Sequence, residues 1–562
     1  MNKVFDNFKN VVVYDYEFKI TDGNPPSPVC VVYKELHSQK IIKQWLLNEV
    51  PRSPFNSSDT LFIAHFSNAE VGCDIANGYE KPKYIWDTFV EEKKLENGRI
   101  KKGFGLLETC QRYGINEIMN ADKKRYWRDF IINNYPDYPE EDKTGILDYC
   151  LEDVLLTEKL FLKQCERLEL LDDNFMRVLQ QAIFHGRSKG IEAQIYANGI
   201  PLNLQLYNDL KENYEAVREL EIEELNKVFD VYEYGKFSHK KFEKELIRIG
   251  LYKRWPKSET GRLKTDDLFG QITGRTNVST AINPFGAPRR MRTIIGTDDK
   301  HILVYADWKS QEAVIQAHLS KDKNMIGAVN SGDPYLFTAK GVGAVPEFAT
   351  KKTHGKEREL YKQSFLAIGY GQTPFGLMNK LNMTLPNATF IHSQIVNYYK
   401  VFQDWSKSII AKAMQRGYFL TKYGWKYWIS PNEKINPRRL INWPIQSHGS
   451  EILRRAIIDL DEEGFEISMI IHDAVLIHMK RKGSAKNIKK LKTIMSDAAE
   501  KVIGAAIPVD TNIIRKQFNQ DGEHKERWEK LYEKLEWTKN KQVSNSDIVY
   551  SKQPPVVFNK YI

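Results

Sequence analysis

The chain has 562 residues, a formal net charge of +10, and 28% charged and 41% hydrophobic residues, too many for one hydrophobic core and suggestive of about three to four domains or lobes. Its composition describes a soluble globular protein, and the basic excess suits a polyanionic partner as readily as a solvated basic surface. All five cysteines (Cys30, Cys73, Cys110, Cys150, Cys165) lie in the first third without a CxxC pair, which argues against a zinc ribbon or disulfide framework and fits a reducing compartment. Residues 1–9 are too polar for a signal peptide, and no apolar run is long enough to span a membrane.

In chain order, residues 11–14 (VVVY) predict a short buried strand leading into Asp15 and Glu17. Two apart in an extended segment, these carboxylates share one face, and they repel each other unless a cation lies between them. Residues 29–33 predict a partner strand beyond a turn rich in proline (Pro25, Pro26, Pro28). A third strand, 60–64, runs into His65, Phe66, Ser67, Asn68, Ala69 and Glu70, with Asp74 close behind. A helix over about residues 143–163 carries Tyr149 and Asp153 at i and i+4, hence on one face. Singly these features are common on protein surfaces; their order is more specific.

Residues 161–171 predict a charged amphipathic connector, with a boundary near 170–185. Gly199, Ile200 and Pro201 predict a turn, and residues 211–229, rich in Glu, Leu and Lys, a long solvated helix. Trp255-Pro256-Lys257, residues 261–265 (GRLKT), residues 272–277 (ITGRTN) and Arg289, Arg290 and Arg292 form a basic stretch. Arginine and glycine together suit phosphate contact, and arginine can also read a base edge.

Residues 302–306 predict a second buried strand that stops at Asp307, followed after Glu312 by helical apolar spacing (Ala313, Ile315, Ala317, Leu319). Asp307 has two readings: a helix N-cap, or a ligand for a cation that compensates a carboxylate set against an apolar core. Arg358, Lys362, Leu366 and Tyr370 recur every four residues, so the two cations share a helix face. That stripe suits a triphosphate with a stacking platform at Tyr370, and it equally describes a solvated basic face. Arg438, Asn442 and Gln446 repeat the spacing, but Pro444 predicts a break, with a helix resuming from His448. Residues 467–471 and 475–477 flank His472, Asp473 and Ala474, which predicts a hairpin with Asp473 in its turn. A second strand-end aspartate is what a two-metal site with Asp307 requires. Residues 523–537 predict a charged helix, and 539–562 carry no legible motif.

Taken together, Asp15-x-Glu17, Tyr149-x-x-x-Asp153, DWKSQEAVIQAHLS, RELYKQSFLAIGYG and IHDAVLI resemble the family A DNA polymerases, from Asp15 to about Arg515. The first third is similar to the DEDDy 3′–5′ exonuclease module of such enzymes. The resemblance implies an α/β, multi-domain α+β chain. A ribonuclease H-like exonuclease domain (1–180) precedes a right-hand polymerase domain (181–562), with thumb about 200–270, palm about 271–320 and 430–515, fingers about 321–429 and a tail about 516–562. It implies that Asp15, Glu17, Glu70 and Asp153 hold the exonuclease metals while Tyr149 orients water, with Asp74 an alternative to Glu70 because Phe66 and Ala69 depart from the usual second motif. In the polymerase it implies Asp307 and Asp473 as metal ligands, Glu312 as the gate against a sugar 2′-hydroxyl, and Arg358, Lys362, Leu366, Tyr370 and Gln311 around the nucleotide. Arg275, Arg438, Asn442, Gln446 and His472 fall on primer-template positions.

Departures are Ala474 where the family carries Glu, Leu366 where it carries Phe or Tyr, Gln311 at an apolar site and Val314 at an arginine site. The SQE, INWPIQ and HDA variants look most like a compact phage branch, which implies phage genome replication in the cytoplasm of a bacterial host. The implied cofactor is Mg²⁺, two ions per site with Mn²⁺ as substitute. The implied partners are primer-template DNA and dNTPs, for a monomer without a membrane partner whose tail offers a surface to replisome proteins. Competing readings are a single-subunit RNA polymerase, a non-catalytic nucleic-acid-binding protein on a polymerase scaffold, a nuclease whose second lobe only grips DNA, and, for the first third, a degenerate nuclease fold.

Overall fold

A computed structural model describes residues 5–20, 24–115, 121–171, 174–217, 220, 232–233, 236–237, 262–263, 268–276, 289–429, 436–518 and 522–544. The apolar run at 11–14 nucleates the strand Asn10–Lys19, which carries Asp15 and Glu17 and lies at the centre of a five-stranded sheet. The sheet order is Ile41–Trp45, Ser27–Glu35, Asn10–Lys19, Thr60–Ala64, Tyr84–Asp87. The first three strands are antiparallel, and the last two run parallel to the central one. Asp15 faces Val32 across the ladder, and an irregularity between Glu17 and Phe18 ends the regular pairing just past the second carboxylate.

The helix Glu140–Leu171 packs across this sheet, longer than its predicted 143–163. Residues 161–171 are therefore not a separate connector: Phe161, Cys165 and Leu168 are buried in the same core as Val11, Val13 and Ile63, so burial extends the helix through them. The next helix, Phe175–Asn198, spans the expected boundary near 170–185 and packs against both Tyr84–Asp87 and the distant strand Glu466–Ile471. Gly186 makes this approach possible, since a Cβ there would lie 2.3 Å from the Ile85 carbonyl oxygen.

The second sheet has the order Glu466–Ile471, Ala474–Lys480, His301–Trp308, Val509–Ile514. The predicted strand at 302–306 and the hairpin about Asp473 are both present, and Asp307 pairs with Ala474. Ile302, Val304 and Ala306 bury one face against Ile452, Ala456 and Ile457 of the helix Pro437–Glu462 and against Met495 and Ala498 of the helix Ser484–Ile503. Pro444 does not break the first of these helices, which runs unbroken through it. Proline has no N–H to offer the carbonyl four residues back, but Trp443, Pro444 and Ile445 are all buried, and packing outweighs that lost bond.

Six helices, Lys323–Asn330, Pro334–Gly341, Gly355–Gly369, Pro374–Leu381, Leu385–Tyr398 and Lys400–Arg416, enclose their own core around Tyr361, Phe365, Leu377, Ile391 and Phe402.

Two compact units result: residues 1–200, 257–278 and 300–513 in one, and 201–256, 279–299 and 514–562 in the other. The second contains the helix Leu204–Glu212, a 3-10 turn Arg289–Ile294 and the helix Gly522–Ser544, tied by Lys539 to Asp209 at 2.8 Å. Of the predicted helix 211–229, residues beyond 217 other than 220 lie outside the described residues, as do 255–257, 261, 264–265 and the tail from 545. All five cysteines are buried free thiols. Among the described residues, no helix is long and apolar enough to cross a membrane.

Candidate functional site

Asp307 is the penultimate residue of its strand and Asp473 lies in the adjoining hairpin turn, where the Trp308 amide donates to the Asp473 carbonyl at 3.5 Å. Asp307 is not a helix cap: the helix Gln311–Ser320 begins from Ser310, itself held at φ 52°. Oδ1 of Asp307 is buried without a hydrogen-bond partner. Burial, then repulsion from Asp473 and Asp510, pushes the Asp307 carboxyl up to about 7. Burial also raises Asp473; the Arg275 cation works against that rise and Glu312 adds to it. His472, beside it, is a non-glycine residue in the left-handed region at φ 48°, the kind of backbone strain that gathers at functional sites.

Arg275 and Glu312 form an ion pair at 2.8 Å, each mostly covered. Gln311 lies next to them, 2% exposed, with both polar atoms unpartnered. A Cβ at Gly449 would sit 2.8 Å from Gln311 Oε1 and 3.5 Å from Arg275 Nη2, so this glycine gives the pair its room. Arg275 is delivered by a turn, residues 271–276, that the sequence alone does not reveal as clamped. The Ile272 carbonyl accepts from Asn97 Nδ2 at 2.8 Å and from the indoles of Trp425 and Trp443 at 3.0 Å each. Ser450 Oγ donates to the Thr273 carbonyl at 2.7 Å, and Arg454 Nη1 to the Gly274 carbonyl at 2.8 Å. The one sequence signal was Arg454, a cation inside the apolar helix run ILRRAII.

On the helix Gly355–Gly369, Arg358, Lys362 and Leu366, with Tyr370 at its C-terminal cap, form a half-buried stripe. Arg358 Nε pairs with Asp333 at 2.5 Å, and Lys362 with Glu359 at 3.5 Å. This helix end meets the other elements: a Cβ at Gly369 would lie 3.0 Å from Gln316, and one at Gly371 would lie 2.8 Å from Ile441 and 3.7 Å from Arg438. Arg438 and His472 are exposed, Asn442 and Gln446 half-buried, and Asn442 Oδ1 has no partner.

A second carboxylate cluster lies on the N-terminal sheet. Asp15, Glu17 and the Cys150 thiol have potential ligand atoms within 4.8 Å of one another, and the thiol donates to the Asp15 carbonyl at 3.2 Å. Burial and then Asp153 push Asp15 up to about 8; burial, Asp15, Cys30 and Asp153 raise Glu17; burial and Asp15 raise Glu70. The Tyr149 phenol is raised by burial, then Glu17, Asp153 and Asp15. The five predicted residues thus share one electrostatic neighbourhood. Lys124 Nζ donates to Asp153 Oδ2 at 2.5 Å, a partner that no motif announced. Glu70 Oε2 and Asp153 Oδ1 are buried without partners. Asp74 is already engaged, accepting from Tyr16 Oη at 2.7 Å and Tyr14 Oη at 3.3 Å.

Orphaned buried carboxylate oxygens crowded at raised pKa fit a hard divalent cation, which favours exactly such oxygen donors and relieves their repulsion. Both clusters pass this test on their own donor sets.

Comparison with known proteins identifies a family. Residues 220–517, more than half of the chain, match the model of DNA polymerase family A. The curated relatives include DNA polymerase I of Rhizobium leguminosarum, 25% identical over 289 residues, covering 47% of this chain and 28% of the relative. DNA polymerase I of Geobacillus stearothermophilus is 24% identical over 274 residues, covering 44% and 30%. The stretch matched therefore spans less than a third of either relative's length. Among solved structures, the POL domain of Pol1 from M. smegmatis, in complex with DNA primer-template and dNTP, superposes with a TM-score of 0.68 at 16% identity, covering 92% of this chain and 96% of that one. That likeness supports the fold.

Proposed function

Since the chain belongs to DNA polymerase family A, we propose that it extends a DNA primer on a template with deoxynucleotides and removes mispaired 3′ ends at a separate nuclease site. The observation that carries the first activity is the pair of strand-end carboxylates, Asp307 with its orphaned Oδ1 and Asp473 in the adjoining turn. The second rests on the cluster Asp15, Glu17, Glu70, Asp153 with Tyr149. The ions are Mg²⁺, with Mn²⁺ as a substitute, held by Asp307 and Asp473 in one site and by Asp15, Glu17, Glu70 and Asp153 in the other. Bound there, they supply Lewis acidity at the attacking and leaving oxygens of phosphoryl transfer.

The chain's own residues do the rest. Arg358 and Lys362 hold the triphosphate, which requires Arg358 to exchange Asp333 for phosphate, and Tyr370 lies beside the forming base pair. Arg275, Arg438, Asn442, Gln446 and His472 line the primer-template path. The clamped turn fixes Arg275 so that Glu312 stands rigidly at the sugar. In the nuclease site Tyr149 orients the attacking water. We assign the chain to a compact phage-type branch on its SQE, INWPIQ and HDA variants, acting in the cytoplasm of a bacterial host as a monomer, with the 516–562 tail as the contact for replisome proteins. The test is primer extension on matched and mismatched 3′ ends, with and without Mg²⁺. Failure to extend a matched primer would end the first assignment, and failure to shorten a mismatched one the second.

Glu312→Ala is expected to lower discrimination against ribonucleotides by about 10–200-fold, the range for one small steric difference in a pocket. Because the same carboxylate pairs with Arg275, Glu312→Gln separates the two roles: it keeps the bulk and so keeps the sugar choice. An unchanged dNTP/rNTP ratio in Glu312→Ala removes the gate. At the nuclease site, Glu70→Gln is expected to lower mismatch removal by about 100-fold or more, whereas Asp74→Asn, whose oxygen still accepts from Tyr16 while its amide NH2 donates to the Tyr14 oxygen, leaves it within a few-fold. The reverse ranking would make Asp74 the ligand.

A further inference from the structure

The first compact unit contains a cavity of about 430 Å³ whose lining includes neither carboxylate cluster. Its size falls within the range of about 300–1,000 Å³ typical of small-molecule sites. Phe89, Phe104 and Tyr427 contribute aromatic faces, and Lys93, Lys101 and Arg439 contribute cations. Among the described residues that line it, none is acidic. The cations and rings are interleaved: Lys93 Nζ stands 4.6 Å from the Phe89 ring centroid and 6.0 Å from that of Phe104, and Arg439 Nη1 donates to Tyr427 Oη at 3.4 Å.

Two backbone features mark the walls. Phe269 is held in the left-handed region at φ 63°, a strained conformation for an aromatic residue. Gly98, at φ 90°, lies so close to the floor that a Cβ would meet the Trp428 carbonyl at 2.4 Å and the Tyr427 ring at 2.7 Å.

We propose that this cavity binds a single nucleotide, its base against the aromatic wall and its phosphate at the cationic rim. Lys93 also donates to the Phe269 carbonyl at 3.4 Å, a neutral partner. A purely apolar ligand would not answer the charge of Lys93, Lys101 and Arg439, and inorganic phosphate would not answer the rings, whereas a nucleotide answers both. It can come from solution as a mononucleotide or from an unpaired strand end. The location gives occupancy a consequence. Gln271 and Ile272 of the lining belong to the clamped turn that delivers Arg275, and Asn97 of the lining is one of its clamps. Phe104 and Phe89 back onto the segment before Glu70, through the His65 Nε2 contact with the Phe104 carbonyl at 3.1 Å and the Phe66–Phe89 ring contact at 4.9 Å. A nucleotide held here touches the supports of both proposed sites.

The test is equilibrium dialysis of the full chain in EDTA, where neither carboxylate cluster can hold a metal-bridged nucleotide, with labelled dAMP, inorganic phosphate and a short oligothymidine as probes. Saturable dAMP uptake is expected, weakened about tenfold or more by Lys101→Glu and by Phe104→Ala. Lys102→Glu, outside the lining, leaves it unchanged. Lys101 is exposed, so its variant folds even if the phenylalanine variant does not. Oligothymidine bound with the same dependence while dAMP is not identifies a strand end as the source. Uptake of neither, uptake indifferent to Lys101→Glu, or phosphate binding as tightly as dAMP overturns the site.

Discussion

With Asp473 replaced by asparagine, primer extension is expected to fall by about 10³-fold or more, a loss at least as large as that from removing one preorganised electrostatic contact, while a mismatched 3′ end is still degraded. The expectation is this severe because Ala474 follows Asp473, so the turn offers no neighbouring carboxylate to take its place. Asparagine keeps the shape of the turn and removes the charge. Stability separates a metal ligand from a structural residue. Asp473 has a carboxyl raised by burial, so in the metal-free protein its ionisation destabilises the fold: the penalty is full above that raised pKa, shrinks as pH falls below it, and is gone only below the ordinary carboxylate value. Asp473→Asn in EDTA at pH 8 should therefore melt no lower than the parent, and by this argument a few degrees higher. Extension retained, or lost together with thermal stability, would refute the assignment. The raised Asp307, at about 7, adds a pH signature: at limiting Mg²⁺, extension should weaken as pH falls below that value, because protons compete with the cation, and excess Mg²⁺ should restore it.

The double substitution Asp15→Ala, Glu17→Ala is expected to abolish removal of mismatched 3′ ends, again by about 10³-fold or more, with extension of a matched primer preserved. Both carboxyls are raised by burial and by a neighbouring carboxylate, Asp153 for Asp15, which is pushed up to about 8, and Asp15 for Glu17. The sign is the same as for Asp473: at pH 8 and without metal the double variant sheds repulsion and should melt higher. Persistent shortening of mismatched primers would show that the cluster is not the nuclease. Loss of extension alongside it would show that the damage had spread beyond the cluster.

Continuous apolar runs such as VVVY before Asp15 and ILVYA before Asp307 made both central strands legible, because buried strands need no alternation. The i, i+4 spacing of Tyr149 and Asp153 was legible for the same local reason. Asp307 reads as cap or ligand from its own stretch alone, and the matching strand-end Asp473 favours the ligand; the helix start at Ser310 excludes the cap. Pro444 and residues 161–171 misled because propensity and composition describe a segment alone, whereas both are held in helix by what they pack against. Lys124 against Asp153, 29 residues apart, and Asn97 against Ile272, 175 apart, could not be read at all. Such pairings are set by the tertiary fold and leave no period in the chain.

The helix Phe175–Asn198 is packed at once on the sheet of Asp15 and on the strand that leads to Asp473, and Asn97 reaches across the same seam to the Ile272 carbonyl. A fragment beginning near residue 180 would lose the first turns of that helix and one of three donors on a single oxygen. The two proposed chemistries are therefore better separated by point substitution than by truncation, since any cut near that helix removes contacts that both sheets share.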